Sequence, residues 1–101
     1  MRIDVFHFEG CPNHRPTVEL VRAVVRELGL AVEVNEIEVG GLEDAVRLGF
    51  FGSPTVQVDG EDIDPASRGR VDYSFSCRVY DGSGIPSRAL IERAIRERMA
   101  S

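Results

Sequence analysis

Residues Arg2 to His14 read RIDVFHFEGCPNH. The first seven, Arg2 to Phe8, are rich in β-branched and aromatic side chains and predict a strand. Ile3 and Val5 fall on one face of that strand, and Phe6 and Phe8 on the other. A strand with apolar residues on both faces is one covered on both sides. His7 shares the face of Ile3 and Val5 and reads as a packed histidine. Glu9-Gly10 breaks the strand, and one of only two cysteines in the chain follows at once.

Working outward, Thr17 to Leu28 predicts a helix: Val18, Val21, Val25 and Leu28 recur at spacings of three and four, widened by Leu20 and Val24. Gly29 stands where a C-cap glycine belongs. Ala31 to Val39 alternates as a strand, with a slip of phase at Asn35-Glu36 that predicts a bulge or a break. Leu42 to Leu48 predicts a short helix closed by Gly49. Pro54 to Val58 predicts a strand ending in the turn signal Asp59-Gly60. Glu61 to Arg70 is polar, holds Pro65 and Gly69, and reads as a solvated loop or, since it joins the strand of Pro54 to that of Cys77, as a segment closing over the cysteine site. Asp72 to Tyr80 predicts a strand beside Pro54–Val58, with Tyr73, Phe75, Cys77 and Val79 on one face. Ser87 to Met99 predicts the last helix, with Leu90, Ile91, Ala94 and Ile95 as its apolar stripe. The order is β-α-β-α-β-β-α over residues 1–101, one α/β domain. Strands alternating with helices predict a parallel start, and the closing strand pair an antiparallel end. The expectation is a mixed four-stranded sheet with helices on both faces.

Composition narrows the function classes. The formal charge is −5 and no basic run occurs, so no electrostatic footprint for nucleic acid is present. No apolar run approaches the ~20 residues of a membrane span. The opening Met1-Arg2-Ile3-Asp4 is unlike a signal peptide and predicts a cytoplasmic protein. All 12 basic residues are arginine. Two cysteines in such a chain point to a free, catalytic or metal-binding role ahead of a structural staple.

If the helix begins near Cys11, Pro12 takes its first position at no cost, and Pro16 kinks its first turns. Cys11 then lies over unpaired N–H groups at the positive end of the dipole, which favours a thiolate. His14, one turn on, is placed to act as ion-pair partner, proton donor or second ligand. The plain alternative is a surface loop with an incidental cysteine and histidine.

A strand, then Gly10-Cys11-Pro12-Asn13-His14 opening a helix, then Gly52-Ser53-Pro54-Thr55-Val56 opening a later strand, resembles the thioredoxin-like superfamily. The resemblance runs through nearly the whole chain by element order. It implies that Cys11 is the attacking cysteine, that Pro54 follows a cis bond, and that Pro12, Ser53, Pro54 and Thr55 face substrate. It also implies a partner that is a thiol or disulfide protein, or a small-molecule thiol. His14 stands where dithiol members carry their resolving cysteine, so a Cys-x-x-Cys disulfide is excluded.

Cys77 has three readings: a buried apolar residue, a resolving thiol for Cys11, or half of a soft-metal grip. As a resolving thiol it must lie with its Cα within about 7 Å of that of Cys11. The third reading is similar to alkylmercury lyases, which carry Cys-x-x-Asp near a thioredoxin-like core and a further cysteine downstream on a strand. Cys11 and Cys77 match that layout, with His14 at the place of the acid. This resemblance implies Hg(II) or another soft metal held by Cys11 and Cys77, with His14 as a proton carrier for cleavage of a carbon–mercury bond. For zinc, Cys11, His14 and Cys77 supply three ligands and no evident fourth. Gly40-Gly41 and Gly82-Ser83-Gly84 lack a phosphate-binding spacing. A non-enzymatic interaction domain that keeps only the scaffold is the remaining alternative.

Overall fold

The computed structural model describes residues 1–100. Strand β1 (Arg2–His7) is followed by helix α1 (His14–Glu27), strand β2 (Glu33–Glu38), helix α2 (Leu42–Leu48) and strands β3 (Phe51–Ser53) and β4 (Thr55–Val58). Strand β5 (Glu61–Asp62), a 3₁₀ turn (Pro65–Ser67), strand β6 (Ser74–Cys77) and helix α3 (Arg88–Met99) complete the chain. The main sheet has four strands in the order β2-β1-β4-β5. β1 pairs in parallel with β2 and antiparallel with β4, and β4 pairs antiparallel with β5. The sheet is therefore mixed, as the alternation of strands and helices leads one to expect.

The two faces of β1 separate two cores. Ile3 and Val5 are fully buried with Val18, Val21 and Val24 of α1, Ile91 and Ile95 of α3, and Val56 and Val58 of β4. Phe6 packs on the opposite face with Val39, Ala45 of α2 and Phe50, and Phe8, Ile37 and Leu48 border that cluster. Helices thus cover both faces. Burying such side chains contributes about 1.5–3 kcal/mol each. α1 closes with the two bonds of a Schellman motif, Gly29 N–H to Arg26 C=O and Leu30 N–H to Val25 C=O. Among the described residues no helix is long and apolar enough to cross a membrane.

Three expectations need correction. The strand predicted at Asp72–Tyr80 does not lie beside β4. It shortens to β6 and pairs in parallel with β3 as a separate two-stranded sheet. Glu61–Asp62 takes the edge of β4 instead, because the tight Asp59-Gly60 turn closes it at far smaller entropic cost than a return from Asp72. Glu61 to Arg70 is consequently not a solvated loop, and Asp62 and Ser67 are buried. Finally, β2 runs in continuous register with β1 through Asn35 and Glu36, without a bulge. Asn35 is polar because its Nδ2 donates to Oδ1 of the buried Asp4 (3.0 Å), whose Oδ2 accepts from Arg2 Nε.

Candidate functional site

Two turns position Cys11. The Cys11 N–H donates to the Phe8 carbonyl (3.3 Å), with Gly10 at φ 83° between them. That is a type II turn, whose third position requires the positive φ that glycine supplies. The His14 N–H then donates to the Cys11 carbonyl (3.3 Å), with Pro12 and Asn13 between and Asn13 at φ −95°, ψ −3°. Those angles are those of a type I turn, with proline at its favoured second position. Cys11 sits at the joint of the two turns and is half-buried.

The helix therefore begins between the two starts considered, later than Cys11 and three residues ahead of Thr17. Asn13 is its N-cap and His14 its first residue. Cys11 lies two residues before the N-cap, outside the first helical turn. Pro16 falls at the third helical position, whose N–H has no intrahelical acceptor, so it costs no bond. The first full helical bond runs from Thr17 N–H to the Asn13 carbonyl, which also accepts from Thr17 Oγ1 (2.7 Å).

His14 turns toward the sheet. Its ring stacks on His7 with centroids 3.5 Å apart and planes 8° from parallel. His14 Nε2 lies 2.7 Å from Glu36 Oε1, and Arg22 flanks the same carboxylate at 3.7 Å. The oxygen is within ion-pair distance of the ring nitrogen but lies off the direction of a ring N–H, so the contact is not a hydrogen bond. His7, read as a packed histidine, is half-buried and serves as the lid of this stack.

The second half of the site is organised by Ser53-Pro54. The peptide between them is cis, as the resemblance implies. The Ser53 Oγ accepts from the Phe8 N–H (3.4 Å), and the Ser53 carbonyl accepts from the Arg78 N–H (3.0 Å). Ser53 is the register partner of Cys77 on β6. One backbone unit is thus tied to the Cys11 turn through Phe8 and to Cys77 through the ladder. Close approach makes this possible: Gly52, at φ 113°, has the Ser76 carbonyl 2.9 Å from where a Cβ would stand. Thr55 Oγ1 donates to the Gly52 carbonyl (2.6 Å) and is wholly buried. Thr55 and Pro54 thus build the site from within, while Pro12 is exposed at the turn.

Arg78 was not among the expected site residues, yet it anchors this half. It is 6% exposed. Its guanidinium forks onto Asp62 (2.7 and 2.9 Å), and reaches Thr55 Oγ1 (3.2 Å) and Ser67 Oγ (3.0 Å). It also lies over the Tyr80 ring at 4.4 Å. Burial, the largest single influence, lowers the Arg78 pKa, but the bonds to Asp62 together with the charges of Tyr80, Asp62 and Asp64 outweigh it and the net direction is up. Tyr80 Oη donates to the Pro54 carbonyl (2.5 Å), and burial holds its phenol well above the ordinary tyrosine range. The readable signal was that Arg78 is the one charged residue between Tyr73 and Tyr80. Its partner is invisible until Asp62 becomes a strand.

Comparison with family models, curated proteins and solved structures returns no match. Both thiols are free, Cys77 being the more exposed. Among the described residues no group of three or more His, Cys, Asp or Glu side chains is placed to hold a metal ion. His14 and Cys11 share a turn, but the histidine's ionic partner is Glu36.

Proposed function

We propose that the chain is a thioredoxin-like thiol protein in which Cys11 and Cys77 carry out thiol–disulfide chemistry across the Ser53–Pro54 unit. The observation that carries the reading is the double tether of Ser53, to Phe8 ahead of the Cys11 turn and to Cys77 in register. Cys11 attacks a partner disulfide and displaces one half as a thiolate, and Cys77 then attacks the Cys11 sulfur of the mixed disulfide, forming Cys11–Cys77 and releasing the other half as a thiol. The partner is a thiol/disulfide protein, or a small-molecule thiol entering as its disulfide.

The test is mild oxidation with diamide followed by peptide mass spectrometry. The expected product is an intramolecular Cys11–Cys77 disulfide, two hydrogens passing to the diamide. Only reduced or intermolecular species would overturn the reading. The pH dependence of Cys11 alkylation, measured with and without Cys77→Ser, then separates a coupled pair from two independent thiols.

A second reading uses the same sulfurs. Two free thiols without a converging third ligand suit a soft ion such as Hg(II), taken as substrate or cargo, better than zinc. It expects one tightly held Hg(II) per chain, lost in Cys11→Ser and in Cys77→Ser. Unchanged affinity in either variant removes it.

A further inference from the structure

Beside Cys77 lies a groove of about 450 Å³, lined by Phe8, Glu9, Glu38, Val39, Phe75 and Cys77 among others. Phe75 is its exposed wall, 44% accessible, with the rings of Phe8 (5.4 Å) and Phe50 (6.3 Å) tilted against it. The two carboxylates are exposed, and neither Glu9 nor Glu38 has an ion pair or side-chain hydrogen bond among the described residues. Cys77 also borders a polar groove on its other side, with Arg70, Asp72 and Arg78. There the charges are already paired, Arg70 with Asp72 and Arg78 with Asp62. Unspent negative charge and open apolar surface coincide only in the first groove.

We propose that this groove binds a low-molecular-weight disulfide carrying positive charge on a short apolar body, and presents its sulfurs to Cys77. The inference rests on the thiol–disulfide reading and names its substrate class. The volume lies in the range of small-molecule sites and is far below a protein interface. The charge complements Glu9 and Glu38, and the carbon chain covers Phe75 and Val39. In the reaction the Cys77 thiolate attacks one substrate sulfur and the S–S bond breaks. One half stays joined to Cys77 as a mixed disulfide. The other leaves as a thiolate and takes a proton from water. One disulfide is lost and one is formed, so no outside oxidant is needed. Each carboxylate near the cation favours binding roughly threefold in a water-like dielectric, about tenfold for the two together.

The test uses the full chain with Cys11→Ser, so that Cys77 alone reports. Second-order rates are measured at low ionic strength with cystamine (cationic) and dithiodiglycolate (anionic), each divided by its rate with N-acetylcysteine. Expected is a preference for cystamine of about tenfold or more, falling roughly threefold with Glu9→Gln and again with Glu38→Gln. Glu19→Gln, an exposed change on α1, leaves it unaltered, and Phe75→Ser slows cystamine. Equal normalised rates, or a preference indifferent to Glu9 and Glu38, overturn the inference and leave the thiol reading standing. A basic peptide disulfide reacting faster than cystamine also overturns it, since the occupant would then be a peptide. No reaction of Cys77 with any disulfide also overturns the inference, and the thiol reading, in which Cys11 attacks first, is then judged by the diamide product alone.

Discussion

Replacing Arg78 by methionine tests whether the buried ion pair holds β6, and with it Cys77, against the main sheet. Methionine keeps much of the length of the side chain and removes the charge. The guanidinium makes two bonds to Asp62 and one each to Thr55 and Ser67, with both charged side chains about 5–6% exposed. After the change the Asp62 carboxylate keeps the Asp64 N–H (2.9 Å) but faces no buried cation. Breaking one side of a buried pair costs about 3–5 kcal/mol, out of the ~5–15 kcal/mol that separates folded from unfolded chains. For a domain of this size that lowers Tm by roughly 15–30 °C. Changing both partners, Asp62→Leu with Arg78→Met, restores most of the loss, because desolvation of the carboxylate vanishes with it. The assay is urea unfolding followed by circular dichroism at neutral pH, on the parent, the two single variants and the double variant. A single-variant cost below about 1 kcal/mol would refute the reasoning. So would a double variant no better than the worse single one, since the coupling would then be absent.

Further outcomes follow from the same geometry. Tyr80, raised by burial, stays protonated where free tyrosine ionises near pH 10. Its contribution to stability is complete below that pH and is lost as pH rises toward its folded value, because the unfolded chain releases the proton first; an absorbance titration at alkaline pH shows delayed ionisation, and ionisation of both tyrosines together in the folded state contradicts this. Gly52→Ala meets the Ser76 carbonyl and an unfavourable φ, and costs roughly 2–4 kcal/mol in thermal unfolding. Gly69→Ala, which meets nothing, costs only about 1 kcal/mol. Asn35→Ala takes one partner from the buried Asp4 and destabilises by ~1–3 kcal/mol in urea. Ser87→Ala removes the cap to the Leu90 N–H (3.1 Å) and costs about 1 kcal/mol, seen as fraying of α3 in hydrogen exchange.

Much of the architecture was legible in local pattern. Ile3 and Val5 against Phe6 and Phe8 announced a strand buried on both faces, and the two cores lie on those faces. Leu42 to Leu48 formed its helix at the expected bounds. The helix stripes of α1 and α3 reach the core because a 3.6-residue period puts them on one side whatever the neighbours do. The cis bond at Ser53–Pro54 came from resemblance and not from pattern. The start of α1 was misjudged, because Pro12 serves a turn as readily as a helix and only the bonds around Cys11 distinguish them.

From the sequence alone came the mixed α/β order, the doubly covered central strand and the two thiols as the chemistry to watch. Those features depend on periodicity and composition, which act over a few neighbouring residues. Which strand sits beside β4, where Arg78 finds its counter-charge, and how Ser53 joins the Cys11 turn to Cys77 were decided by tertiary structure. The last two depend on groups 16 to 45 residues apart, whereas β5 joins β4 across the Asp59-Gly60 turn and so shuts the later strand out. Burial pairs such groups because an unpaired charge or amide in the interior costs more than the chain entropy spent in bringing them together.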